Sequence, residues 1–153
     1  MVFFDDDAVD EQRFAIKGRV MALDLGEKRI GVAISDPLRM IAQSYGVVQR
    51  TSRKADYAEY GRIIAKEEIT LLVVGLPLSL SGEETEKSAW VRHYTAEMGR
   101  HINVPIEFWD EALTTVQAAE SLRARGKRGQ KARERIDAVA AAFILQSYLD
   151  AHA

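Results

Sequence analysis

The residues in this chain with the clearest capacity for chemistry are acids, at three separated places. Asp24 closes the apolar run Val20-Met21-Ala22-Leu23. Asp110 and Glu111 close a second run, Pro105-Ile106-Glu107-Phe108-Trp109. Asp137 follows a cluster of Arg and Lys and comes early in the apolar pattern of the C-terminus. Strand ends and a helix start can bring such distant acids together. Carboxylate oxygens are hard ligands that suit Mg²⁺ or Mn²⁺. A pair of such ions about 3.5–4 Å apart can hydrolyse a phosphodiester, one activating water and the other stabilising the leaving oxygen. No Ser, Cys or His nucleophile is then needed. The three histidines, His93, His101 and His152, show no ligand spacing and are expected at the surface.

Each acid also has a plainer reading. Asp24 could cap a turn or pair with a base, Asp110 and Glu111 could favour a helix N-terminus, and Asp137 could be an electrostatic cap. An acid buried in a strand is costly without a partner, however, and Gly26 and Gly31 beside Asp24 leave room for phosphate or metal to approach. Taken jointly, the three places read as metal-dependent cutting of nucleic acid.

The charge pattern agrees. The net charge of −2 hides a segregation: residues 1–17 contribute −3 and the remainder +1. Residues 123–135 hold seven bases, Arg123, Arg125, Lys127, Arg128, Lys131, Arg133 and Arg135, against one acid, Glu134. Bases at this density can neutralise phosphates, each contact adding salt-sensitive affinity. No aromatic residues interleave them, so base stacking is not indicated there. Trp90 and Trp109 are expected in or beside the core.

The elements that must position these residues follow from hydrophobic period. Residues 1–17 read as a flexible acidic extension, and residues 18–153 as one domain. Residues 19–25 are a strand buried on both faces. Gly26-Glu27-Lys28 turns the chain into a second strand, Arg29–Ser35, and residues 42–49 are a third, so the first three form an antiparallel meander. Residues 55–67 predict a helix with Tyr57, Tyr60, Ile63 and Ile64 on one face. Ile69–Val74 is a strand, Gly75–Gly82 a loop, Glu84–Arg100 a helix and Val104–Trp109 the fifth strand. A helix over 114–125, a turn at 127–131 and a helix over 132–150 finish the chain. The last helix should bury Ile136, Val139, Ala140, Phe143, Ile144, Ser147 and Tyr148. Later strands reached through helical crossovers are parallel.

Composition sets the outer limits. The 153 residues, 47% hydrophobic and 29% charged, suit one globular domain. With no cysteine, disulfides and thiolate metal sites are excluded. No apolar run approaches the roughly 20 residues of a membrane span. The N-terminus lacks a signal-peptide pattern. A cytoplasmic protein without membrane contact is expected. No dimer seam is legible, so a monomer or weak homodimer is expected.

Four segments together resemble a known family. Leu23-Asp24-Leu25-Gly26-Glu27-Lys28-Arg29-Ile30-Gly31-Val32-Ala33, Val73-Val74-Gly75-Leu76-Pro77-Leu78, Asp110-Glu111-Ala112-Leu113-Thr114-Thr115 and the helix opening at Asp137 look like the YqgF/RuvX family, over about residues 19–150. The resemblance implies an α/β ribonuclease H-like fold, a five-stranded mixed sheet in the order 3-2-1-4-5 flanked by helices. It implies a cytoplasmic bacterial nuclease associated with maturing the 5′ end of the small-subunit ribosomal RNA precursor, with Holliday junction resolvases among its relatives. The family's catalytic positions map onto Asp24, Glu111 and Asp137, which with Asp110 would hold Mg²⁺ or Mn²⁺, two ions in the expected arrangement. The family pattern after the second acid is Asp-Glu-Arg, whereas this chain has Ala112. Arg29 and the bases Arg123, Arg125, Lys127, Arg128 and Lys131 are the candidates for phosphate contact instead. Three other readings stay open: a branched-DNA resolvase, a phosphate-binding actin- or hexokinase-like protein, and a non-catalytic nucleic-acid-binding module.

Overall fold

The computed structural model describes residues 17–113 and 129–153. Residues 1–16 of the proposed extension over 1–17, the helix over 114–125 and the bases Arg123, Arg125, Lys127 and Arg128 lie outside the described residues.

Long apolar runs make the strands. β1 (Arg19–Leu25), β2 (Arg29–Ser35) and β3 (Ala42–Gln49) are followed by α1 (Arg53–Lys66), β4 (Ile69–Leu76), α2 (Glu86–Met98), β5 (Ile106–Asp110), a 3₁₀ turn (Glu111–Leu113) and α3 (Gly129–Ala151). The five strands form one sheet in the order β3-β2-β1-β4-β5. The β1–β2 and β2–β3 pairs are antiparallel, and the β1–β4 and β4–β5 pairs are parallel. The mixed sheet and its order are those expected of the ribonuclease H-like fold.

Strand alternation divides the core into two layers. Met21, Leu23, Ile30, Val32, Leu72 and Val74 face α1 and α2, where Tyr57, Tyr60, Val91 and Tyr94 complete the packing. Val20, Ala22, Ala33, Leu71 and Val73 face α3, against Ala141, Leu145, Tyr148 and Leu149. The α3 layer is built from small residues, so the helix lies close to the sheet. Ser52 caps α1 by accepting from the Ala55 amide, and Thr85 and Ser88 form a reciprocal capping box at α2. Thr85 is therefore a cap rather than part of the helix expected from Glu84.

Several expectations are corrected. β4 runs on to Leu76, so Gly75 and Leu76 belong to the strand and not to a loop. β5 ends at Asp110, one residue later than expected. α3 starts at Gly129, so Gly129, Gln130 and Lys131 are helical rather than a turn. The buried face of α3 is also rotated. Ala138, Ala141, Ile144, Leu145, Tyr148 and Leu149 are buried, whereas Phe143 is exposed and Ile136, Val139 and Ala140 are half-buried. From Ala138 to Leu145 the helix is apolar all round, so period alone could not select the face. Close approach to Ala22 and Ala33 selects the side carrying alanines.

Candidate active site

Asp24 is the next residue after Val20 and Ala22 on the α3 side of β1, by the two-residue period of the strand. Its partner across the β1–β2 ladder is Gly31. A Cβ at Gly31 would stand 2.0 Å from the carbonyl oxygen of Asp137 and 2.6 Å from its carbonyl carbon. The bare backbone at Gly31 thus lets α3 settle onto β2 at Asp137, bringing that residue beside Asp24. Gly31 was expected to leave space for phosphate or metal. Instead the helix backbone fills that space.

Glu111 arrives from the other side of Asp24. β5 pairs with β4 through Gly75↔Trp109 and Leu76↔Asp110, so the chain leaves the sheet at Asp110 next to the end of β4. A Cβ at Gly75 would lie 2.9 Å from Oε1 of Glu111 and 3.1 Å from its Cγ. Gly75 therefore makes the slot in which the Glu111 side chain lies over the sheet. Asp110 caps the following turn, its Oδ1 accepting from the Ala112 amide at 2.9 Å.

The electrostatics mark Asp24 and Glu111 as a coupled pair. Burial raises the Asp24 carboxyl above its ordinary range; the Lys87 cation and a hydrogen bond with Glu111 pull it back, and Asp137 raises it. Burial, then the charge of Asp24, pushes Glu111 up to about 7, against the pull of Lys87. Two carboxyls in hydrogen-bond contact cannot both ionise cheaply, so near neutrality they share a proton. Asp137 is held separately: Nε of Arg29 donates to its Oδ2 at 2.7 Å. Asp137 also lies two turns inside α3, so the electrostatic-cap reading for a helix-start acid does not apply.

Asp24, Glu111 and Asp137 are thus brought to one edge of the sheet, the end where β1, β4 and β5 finish. Among the described residues no group of three or more His, Asp or Glu side chains stands close enough together to hold a metal ion. The donor chemistry nevertheless fits a hard divalent cation. Asp24 and Glu111 present carboxyl oxygens to each other, and a cation would replace their shared proton. Of the expected phosphate-contacting bases, Arg29 is at the site but engaged with Asp137. Lys131 belongs to the first turn of α3.

Three residues at the site were not anticipated in these roles. Gly75 forms the Glu111 slot, signalled by its place in the family-like segment 73–78 and by a glycine interrupting the buried run Leu71–Leu76. Lys87 acts electrostatically on both Asp24 and Glu111. Arg50 secures the β1–β2 turn, donating to the carbonyls of Gly26 at 3.3 Å and Glu27 at 2.8 Å. Its guanidinium lies 4.8 Å from the centroid of the Trp90 ring. The histidines are at the surface as expected, and Trp90 and Trp109 pack at the core's margin.

Known proteins resemble this chain over most of its length. The family model described as RuvX, Holliday junction resolvase, matches residues 18–151. A relative from Myxococcus xanthus, named "Putative pre-16S rRNA nuclease", is 44% identical over 134 residues, covering 88% of this chain and 89% of the relative. A relative of the same name from Roseiflexus sp. is 42% identical over 133 residues, covering 87% of this chain and 94% of its own. Among solved structures, T. thermophilus RuvC in complex with a Holliday junction substrate superposes with a TM-score of 0.54 at 13% identity, covering 88% of this chain and 96% of that one. The fowlpox virus resolvase in complex with Holliday junction DNA gives 0.52 at 10% identity, covering 88% and 98%. At these identities the two structures speak to the fold alone.

Proposed function

We infer from its place in the RuvX family, to which this chain belongs, that it is a divalent-metal-dependent nuclease acting on the 5′ end of the 16S ribosomal RNA precursor in the cytoplasm. The observation that carries this reading is the Asp24–Glu111 carboxyl pair, with Asp137 beside it, at the carboxyl edge of the sheet. The relatives' name supplies the substrate. The described residues include no helix long and apolar enough to cross a membrane.

Asp24, Glu111 and Asp137, with Asp110 adjacent, would hold Mg²⁺ or Mn²⁺, in a two-ion arrangement. A bound divalent ion lowers the pKa of water and stabilises charge on the phosphoryl and leaving oxygens. The protein's own groups do the rest. Asp24 and Glu111 hold between them a proton that a bound cation would displace. Arg29 holds the Asp137 carboxylate in place and would be free to reach a phosphate were Asp137 to hold a cation. Gly31 and Gly75 hold α3 and Glu111 against the sheet. Arg123, Arg125, Lys127, Arg128 and Lys131 immediately precede Asp137 in sequence and would carry the polynucleotide backbone past the acids. Such contacts position the strand without reading its bases. The protein acts as a monomer or weak homodimer.

A second reading, cleavage of four-way DNA junctions, draws on the family's description. Single-turnover cleavage with Mn²⁺ separates the two. The precursor RNA should be cut near the mature 5′ end faster than a four-way junction, and Asp24→Asn should cut neither. Faster cutting of the junction would reverse the substrate assignment. Neutralising two of the five bases at 123–131 should reduce the salt slope of RNA binding by about 0.7 for each lost single-strand contact. An unchanged slope would move the binding surface elsewhere.

A further inference from the structure

Lys87 lies in the first turn of α2, on the opposite face of the sheet from Asp137, yet its position is tightly fixed. Thr85, two residues earlier, donates from its hydroxyl to the carbonyl of Pro77 at 2.9 Å. The Thr85 amide donates to the Ser88 hydroxyl at 2.7 Å, and the Ser88 amide to the Thr85 hydroxyl at 3.0 Å. Ser88 is buried. Pro77 directly follows Leu76, whose register partner is Asp110. The start of α2 is therefore pinned to the end of β4, next to the strand end that delivers Glu111.

The local acids do not account for Lys87. Glu84 is taken by Arg92, with contacts of 2.6 and 3.1 Å, and also accepts from Ser88. Lys87 is exposed and makes no ion pair or hydrogen bond among the described residues. Its charge is nevertheless felt by both carboxyls of the coupled pair. A cation there disfavours a divalent ion through like-charge repulsion, so it is a poor device for building a metal site. It is well suited to meeting a polyanion that arrives at that edge.

Resting on the nuclease reading above, we propose that the Lys87 ammonium contacts the phosphate backbone of the bound polynucleotide at the edge formed by Asp24 and Glu111, opposite the Asp137 side. Lys87 is a substrate-binding residue, and its removal should act on nucleic acid and on metal with opposite signs.

The test compares wild type, Lys87→Gln, Lys87→Arg and Asp24→Asn. Affinity for a fluorescent single-stranded RNA of mixed sequence is measured in chelator across a salt series, and Mn²⁺ affinity is measured by titration without RNA. For Lys87→Gln the proposal predicts weaker RNA binding, a salt slope smaller by about 0.7, and Mn²⁺ binding as tight as wild type or tighter. Lys87→Arg should retain the slope. A lysine that only steadies the folded acid pair would leave the RNA slope unchanged in Lys87→Gln, and that result overturns the proposal. Looser Mn²⁺ binding by Lys87→Gln overturns it as well. Asp24→Asn separates the two levels. If it still cleaves RNA with Mn²⁺, the nuclease site has been misassigned, whatever Lys87 does. If it is inactive and Lys87→Gln binds RNA like wild type, only the Lys87 proposal fails.

Discussion

Glu111→Gln should make the metal-free protein more stable while disabling it, and the pH dependence of that gain is specific. Burial and the adjacent Asp24 push the Glu111 carboxyl from its ordinary 4.5 up to about 7. A raised carboxyl binds its proton more tightly in the folded chain than in the unfolded one. Its contribution to stability is thus fully present below pH 4.5 and is lost as the pH rises through about 7. At about 1.36 kcal/mol per pKa unit, the ionised form costs on the order of 3 kcal/mol above that range. Glutamine has the same shape, keeps a hydrogen bond to Asp24 and carries no charge, so it escapes that cost. For a chain of this size the gain corresponds to roughly 6–12 °C in melting temperature. Thermal unfolding in chelator would be followed for both proteins from about pH 4.5 to about pH 8.5. The two curves should nearly coincide at the acid end and separate progressively through neutrality. Saturating Mn²⁺ should close or reverse the gap, because only wild type keeps the full ligand set; a ligand at 100 times its Kd adds about 2.7 kcal/mol. A pH-independent difference, or a wild type more stable than the variant at about pH 8 in chelator, would refute the coupled-pair reasoning.

The two glycines should behave differently from each other. Gly31→Ala drives a methyl group into the backbone of Asp137, so urea unfolding should show a loss of about 1–3 kcal/mol and cleavage should fall with it. Gly75→Ala meets mainly the movable side chain of Glu111; its urea midpoint should change much less, while single-turnover cleavage drops. Arg29→Met removes the pair to Asp137, which is only partly exposed, and should lower metal-free stability by about 1 kcal/mol. It should also weaken RNA binding in saturating Ca²⁺, where Asp137 would be turned to the cation, which a purely structural Arg29 would leave unchanged.

The sheet was legible from sequence for a simple reason. Strands with both faces buried appear as unbroken apolar runs, and β1, β2 and β4 are of that kind. Asp24 stood out because it ends such a run, and Glu111 because it follows the short, half-buried run of β5. What sequence could not supply was contact between distant segments. Arg29 and Asp137 lie 108 residues apart and their pairing leaves no local pattern. Gly31 was read as leaving room for phosphate or metal but serves as a landing for α3, because its neighbour in space comes from the other end of the chain. The face of α3 was misplaced since alanines carry a weak hydrophobic signal, yet they allow the closest approach and so decide the packing. The start of α3 was set too late, which made Asp137 look like a helix-start residue.

The central claim is that Asp24 and Glu111, with Asp137, form a divalent-metal site. Anomalous scattering from crystals equilibrated with Mn²⁺ tests it most directly. The account predicts a strong peak with carboxylate oxygens of Asp24 and Glu111 in its first coordination shell, absent in crystals of Asp24→Asn. Saturating Mn²⁺ that gives no peak at this edge, or a peak held by other residues and unaffected by Asp24→Asn, would contradict it.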